Sequence, residues 1–475
     1  MSIEQLLNDK INSIIDLFSS GHKIEALDNI KTLINQYPSE SLLHNIGGVC
    51  YKSNGQLEMA VKCFERALEI KPDFADAHYN LGLTFQELDQ LDSAVKSYKK
   101  TLVIQANYVK AYNNLGIIYK ELGQMNDAVK SYEEALSHQP DFTEALNNLG
   151  NILTEMGKLD EAIKSYNQAL VIEPNYIEVH NNLGNILNDL GELDEAVEHY
   201  EKAIAFNPDY AEAHNNLGST LNDLGQLDSA VEHYEKAIAI NPDYADAHNN
   251  LGTTLKAFGQ FDKAIENFIK ALTINPNFAD ALFNLGVSYY DLGQTDEALN
   301  SYRQALSISP DFAEAHSNLG LILQELGQSD EALNSYVNAL AIDPDNAQFH
   351  RNLSTVKHYK QDDTQLTHMQ SLLSNNNLNE SERINFCFAL AKAYEDLGKK
   401  DELFKILNKG NQLRKKELNY SIESDLKKHA TYKNIFKIAI TEPSSFKPLV
   451  VRPIFIVGMP RSGTTLVEQI ISSHH

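Results

Sequence analysis

Apolar positions fall into a regular pattern along most of the chain. In the stretch Ala211 to Tyr244, AEAHNNLGSTLNDLGQLDSAVEHYEKAIAINPDY, Leu217, Leu221 and Leu224 stand at helical spacing, and so do Ala230, Tyr234, Ala237 and Ile238. The pattern predicts two amphipathic helices. Gly225 sits where the first must stop, because glycine accepts the left-handed conformation that ends a helix. Asp228 is placed to cap the second helix. Pro242 closes the segment, and Asp243 with Asp246 reads as a capping box for the helix that follows. The small residues Gly218, Ala230 and Ala237 mark where two helices approach closely.

This segment is one of many. The glycine of Asn-Leu-Gly recurs at Gly82, Gly116, Gly150, Gly184, Gly218, Gly252, Gly286 and Gly320, every step being 34 residues. Alanines keep that step from Ala60 to Ala332 and prolines from Pro140 to Pro344. Self-similarity at a fixed period of this size is the mark of a repeat array. Nine clear units run from Ser41 to Asn346, preceded by a weaker one at Leu7 to Glu40. Ala106 stands where proline is expected and Asp89 where the turn glycine is expected, neither enough to break the pattern. The period lapses from Gln361 to Glu380, where Gln365 to Leu373 reads as an irregular helix, and a further unit is expected at Ile384 to Glu417.

A 34-residue helix-turn-helix unit carrying Asn-Leu-Gly, a turn glycine, alanine, an aromatic residue, alanine and proline resembles the tetratricopeptide repeat. The resemblance implies an all-α fold, a superhelical α-solenoid spanning residues 7–346, and a concave side lined by the first helices. There the chain offers asparagine: Asn80, Asn114, Asn148, Asn182, Asn216, Asn250, Asn284, Asn318 and Asn352 share one repeat position, and Asn113, Asn147, Asn181, Asn215 and Asn249 precede five of them. A carboxamide both donates and accepts, so such a row suits the N–H and C=O groups of an extended peptide. The row is similar to the asparagine ladder of O-linked N-acetylglucosamine transferase. Two readings stand side by side: a groove for a protein or peptide ligand, and asparagines that bond neighbouring helices. A chaperone-tail clamp needs lysines at these positions and is disfavoured.

Histidines also share a repeat position, at His44, His78, His180, His214, His248, His316 and His350. Successive units stack about 10 Å apart, too far for two of these to share a metal ligated near 2 Å. The histidines are therefore expected to be structural, as is the aromatic column Tyr98, Tyr132, Tyr166, Tyr200, Tyr234 and Tyr302.

Composition narrows the classes. Across 475 residues, 65 Asp+Glu oppose 40 Lys+Arg for a net charge of −25, which argues against nucleic acid and anionic membranes as partners. Three cysteines without metal-type spacing fit a reducing cytoplasm, and the start of the chain lacks a secretory leader. The balance reverses near the end: residues 399–475 carry +7 and residues 1–398 carry −32.

A different chemistry is expected there. After Pro443, Pro448 and Pro453, the apolar run Ile454 to Val457 reads as a buried strand, and Gly458-Met459-Pro460-Arg461-Ser462-Gly463-Thr464-Thr465 leads into a helical LVEQIISSH. Strand, glycine-rich loop and helix N-terminus make an anion cradle. Thr464 stands where a nucleotide P-loop requires lysine, so ATP or GTP hydrolysis fits poorly. Arg461 instead offers a fork of donors to phosphate or sulfate.

RPIFIVGMPRSGTTLVEQIISSH is similar to the donor loop of sulfotransferases that use 3′-phosphoadenosine 5′-phosphosulfate (PAPS), in particular the bacterial group with tetratricopeptide repeats and the tyrosylprotein sulfotransferases. The resemblance implies that Arg461, Ser462, Gly463, Thr464 and Thr465 hold the donor's phosphosulfate and that PAPS is the sulfuryl donor. It also implies transfer to a protein or peptide acceptor recruited by the array, tyrosine among the hydroxyls to consider. The sequence stops ten residues after Thr465. The expectation is a solenoid (7–346), a degenerate repeat with connecting helices (347–440) and the truncated beginning of an α/β sulfotransferase domain (441–475), inactive by itself. A binding scaffold without chemistry is the alternative. A glycosyltransferase-linked array is disfavoured, since nothing after residue 440 looks like a sugar-nucleotide domain.

Overall fold

The computed structural model describes residues 3–421 except 376, together with 423, 426, 427, 430 and 431. The described residues form 24 α-helices and no strand. They fall into two compact units, Met1–Ala315 and His316–His475.

In the first unit, 13-residue and 14-residue helices alternate from Ser41 onward, as in Ala211–Asp223 and Leu227–Ile240. The turn between them is a Schellman motif: Gln226 N–H reaches Leu221 C=O at 2.8 Å, and Gly225 adopts φ +73°. Asp89 takes the same conformation at φ 57° with the same bond from Gln90 to Phe85, so the substituted turn keeps its shape. The helix pair Ile3–Ser19 and Lys23–Gln36 precedes these units, with Gly21 at its turn.

The aromatic column is the packing element that sets the distance between the two helices of a repeat. Tyr166 is 1% exposed, and a Cβ built on Gly150 would lie 2.4 Å from its ring, so only glycine lets the helices meet at this spacing. The same pairing holds for Gly218 with Tyr234, flanked by the fully buried Ala230 and Ala237. Leu217, Leu221, Leu251 and their equivalents join these rings into one core running from Ala128 to Leu285. First helices of neighbouring repeats pack on one another as well as on their own second helices, so the inner curve of this α-solenoid is lined by first helices.

Two expected caps are absent. Asp228 lies in the first turn of its helix, whose N-cap is Gln226 with no side-chain bond. Its charge favours the helix N-terminus without capping it. Asp243 and Asp246 form no capping box, because the helix begins at Ala245 with Tyr244 as its N-cap and Asp243 stands one residue too early. Asn241 instead accepts the Asp243 N–H through Oδ1 at 3.2 Å, tightening the connection.

Side-chain caps appear in the second unit, at Asn346, Asp363 and Asn379, the last in a full capping box with Glu382. Helix Thr364–Leu373 spans the segment read as irregular helix, and Glu380–Asp396 pairs with Lys400–Glu417 around Gly398 at φ +68°. The expected strand Ile454 to Val457 and the loop after it lie outside the described residues.

Candidate functional site: the inner face of the repeat array

The ladder asparagines are brought together as the sequence suggests, and they bond to one another across repeats. Asn148, Asn216, Asn250 and Asn284 each donate Nδ2 at 3.1 Å to the Oδ1 of Asn113, Asn181, Asn215 and Asn249, the buried asparagines of the preceding repeat. Asn182 donates to Asn147 at 3.3 Å and to Asn151 at 3.0 Å, and Asn80 to Asn45 at 3.0 Å. Asn114 turns instead to the hydroxyls of Tyr79 and Tyr98, both at 3.2 Å. In the second unit Asn352 donates to Ser317 at 2.9 Å, and Asn318 is half-buried in the same register.

The buried partners are held in turn. Asn113 donates to Glu144 at 2.9 Å and Asn181 to Glu212 at 3.1 Å, each acceptor lying in the next repeat. Tyr166 and Tyr200 donate their hydroxyls to Asn151 and Asn185 at 2.6 and 2.7 Å, tying the aromatic column to the ladder. The row is thus a hydrogen-bonded spine along the solenoid. It keeps one open capacity: Asn148, Asn182 and Asn284 remain half-buried, and their Oδ1 atoms accept no hydrogen bond among the described residues.

Charge completes the face. Residues at i, i+4, i+7 and i+11 of a helix lie on one side. Here they are Glu144, Asn148, Asn151 and Glu155; Glu178, Asn182, Asn185 and Asp189; Glu212, Asn216, Ser219 and Asp223; and Asp280, Asn284, Val287 and Asp291. Two acidic columns therefore flank the amide row. Lys120 pairs with Glu155, and Lys256, its pKa lowered chiefly by burial, lies near Asp291. These columns were visible in the sequence as acids four residues before and seven after Asn80, Asn148, Asn182, Asn216, Asn284 and Asn318, broken by Lys110 before Asn114 and Ala257 after Asn250. Without the face they border, they read as ordinary surface charge.

Six of the repeat-position histidines share one orienting hydrogen bond. Nε2 of His44, His78, His180, His214, His248 and His350 lies 2.8–3.3 Å from the carbonyl oxygen of the proline six residues earlier, to which it donates. No cluster of three or more metal-ligating side chains occurs among the described residues. Sequence reasoning missed a second set, one helix away. His199 and His233 bring Nδ1 within 3.0 Å of Nδ1 of His180 and His214, while Asn267 takes that place opposite His248.

Burial first, then the neighbouring histidine and lysine, lowers His199 and His233 to about 4. A group whose folded pKa lies below its unfolded value of about 6.5 contributes stability that is present above pH 6.5 and lost as pH falls toward 4. Discounted for solvent screening, the two pairs together should account for about 1–2 kcal/mol of acid destabilisation. Denaturant unfolding at pH 7 and pH 4.5 checks this. The double variant His199→Asn/His233→Asn, which copies the His248–Asn267 pair, should lose less stability over that interval than the wild type.

With the face described, its kinship can be stated. Profiles described as TPR repeat match residues 48–89, 150–187, 184–221, 218–257, 254–293 and 288–327. Profiles described as tetratricopeptide repeat match 75–108, 109–142, 131–164 and 313–346. Together they cover residues 48–346, and the chain belongs to the tetratricopeptide-repeat proteins, a class that binds protein or peptide ligands. A profile described as sulfotransferase family matches residues 453–475, the segment that holds Arg461, Ser462, Gly463, Thr464 and Thr465. Those five residues lie outside the described structure.

An uncharacterized protein of Aquifex aeolicus (strain VF5) is 37% identical over 130 residues, which is 25% of this chain and 16% of that protein. This chain thus spans a small part of that relative's length. Crystal structures of MamA include one that is 32% identical, covering 35% of this chain and 97% of MamA with a TM-score of 0.32. YrrB, described as a TPR protein with an unusual peptide-binding site, is 24% identical, covering 39% of this chain and 96% of YrrB with a TM-score of 0.34. No helix among the described residues is long and apolar enough to cross a membrane.

Proposed function

We propose that the chain joins a partner-binding solenoid to a sulfuryl-transfer domain that uses PAPS and acts on a protein or peptide acceptor. The observation that carries this reading is the presence, on one chain, of a repeat array with an asparagine-lined inner face and of a segment matched by the sulfotransferase family. In this account Arg461 and the hydroxyls of Ser462, Thr464 and Thr465 hold the donor's phosphosulfate, with Gly463 giving the backbone room to approach. PAPS would supply the sulfuryl group there: the acceptor oxygen would bond to sulfur, the bond from sulfur to the nucleotide's phosphate oxygen would break with the nucleotide as leaving group, and the hydroxyl proton would pass to water. Tyrosine is one such hydroxyl.

The inner face contributes by raising the acceptor's effective concentration at the transfer site. Its free Oδ1 atoms suit the N–H groups of an extended segment, and its acidic columns suit lysine and arginine side chains on that segment. A reducing, cytoplasmic setting agrees with the free thiols of Cys50, Cys63 and Cys387, the first two raised to about 11 chiefly by burial and so held in the inert form.

Steady-state kinetics with labelled donor tests the proposal. Deleting the five units Ser41 to Tyr210 from the gene product should raise acceptor KM at least tenfold while donor KM stays the same. An unchanged acceptor KM would remove the recruiting role. Absence of any sulfuryl transfer by the intact gene product would leave the second reading, an interaction scaffold without chemistry, which rests on the array alone.

A further inference from the structure

Two successive repeats carry a construction found nowhere else in the first unit's described histidines. His180 and His199 face each other across the two helices of one repeat, and His214 and His233 do the same in the next, each with Nδ1 atoms 3.0 Å apart. The proline carbonyls at Pro174 and Pro208 can only accept, so His180 and His214 carry their proton on Nε2. In the neutral ring this leaves a lone pair on Nδ1, which accepts the Nδ1–H of the facing His199 or His233. A ligating histidine is commonly oriented in just this way, by donating its other N–H to a backbone carbonyl.

The spacing fits a metal. Two imidazole nitrogens at about 2.0–2.1 Å from one ion and about 90° apart are separated by about 2.9 Å. His180 and His214 are buried, whereas His199 and His233 are partly exposed, leaving the outer side open to water. The adjacent Glu198 and Glu232 are exposed and bonded instead to lysines one turn on, Lys202 at 2.6 Å and Lys236 at 2.7 Å. We infer that each of the two histidine pairs is a chelating site for a late divalent transition-metal ion, copper(II) above all, in tetragonal coordination completed by water. For the ion to enter, the proton on Nδ1 of His199 or His233 moves to its own Nε2 through solvent, and a turn of that ring makes the two lone pairs converge.

The third repeat is an internal control. His248 keeps the orienting bond to Pro242, but Asn267 replaces the second imidazole, so that repeat should not chelate. The column of histidines along successive repeats plays no part, since each pair lies within one repeat.

The test titrates the full chain with copper(II) at neutral pH against glycine as competitor, reading uptake and nitrogen hyperfine structure by electron paramagnetic resonance. The wild type should bind two equivalents, each with two imidazole nitrogens. His199→Asn/His233→Asn should lose both, weakening uptake at these positions at least 100-fold. It keeps the His–Asn bond that the third repeat already uses, so the fold is retained. Asn267→His should add a third equivalent. No uptake by the wild type, uptake unchanged in His199→Asn/His233→Asn, or no third equivalent in Asn267→His overturns the inference.

Discussion

Replacing Tyr166 by alanine is expected to destabilise the first unit by about 3–5 kcal/mol, the cost of emptying a large buried aromatic site. The ring is 1% exposed and fills the space over Gly150, where the helices meet too closely for any Cβ to take its place. Its hydroxyl also donates to Asn151, which accepts from Asn182 of the next repeat, so the loss reaches across the repeat boundary. Because each repeat contacts only its neighbours, the damage should appear as a split unfolding curve, with the repeats around Tyr166 melting first. Tyr166→Phe keeps the ring and should cost only about 1 kcal/mol. Chemical denaturation followed by circular dichroism separates the two variants. Equal stability of Tyr166→Ala and Tyr166→Phe would show that the ring is not the packing element described.

The triple variant Asn182→Ala/Asn216→Ala/Asn250→Ala should lose about 3 kcal/mol, near 1 kcal/mol for each side chain removed from the spine. Five donated bonds disappear, to Asn147, Asn151, Asn181, Asn185 and Asn215, and these acceptors, of which Asn181 and Asn215 are buried, are left with fewer partners. Denaturant midpoints measure this directly, and a stability within 0.5 kcal/mol of wild type would contradict the spine, since that is the size of an ordinary surface substitution. The consequence for function is practical. Loss of partner binding in this variant cannot separate contact from distortion, whereas Glu178→Gln/Asp223→Asn alters the charge of the face while leaving the asparagine bonds in place.

The sequence made the repeat legible because the same physical demands recur every 34 residues. Gly225 ends a helix by conformation, Gly218 yields to the Tyr234 ring, and both could be read from residue type and spacing. The caps could not. Asp228 and Asp243 are good cap residues by chemistry, but after the Schellman turn the first helix is capped two residues before Asp228, and after the Asn241 turn the next is capped one residue past Asp243. The ladder was legible as a row, yet its partners lie 31 or 35 residues away, and only the stacking shows that Nδ2 is already engaged. His199 was hidden for a similar reason: it lies 19 residues from His180, on the other helix, outside the repeat position that the other histidines share. The loop Arg461 to Thr465 stood out by its motif alone, and it falls beyond the described residues.

The most direct test of the account asks which face holds the acceptor and whether that acceptor is sulfated. A photo-crosslinking residue is placed at Ser219, on the inner face, or at Glu235, exposed on a second helix, and the gene product is supplied with labelled sulfuryl donor and protein acceptor. The expected result is an adduct from Ser219 that carries labelled sulfate, with little adduct from Glu235. Equal adducts from both positions, or an inner-face adduct without label, would contradict it.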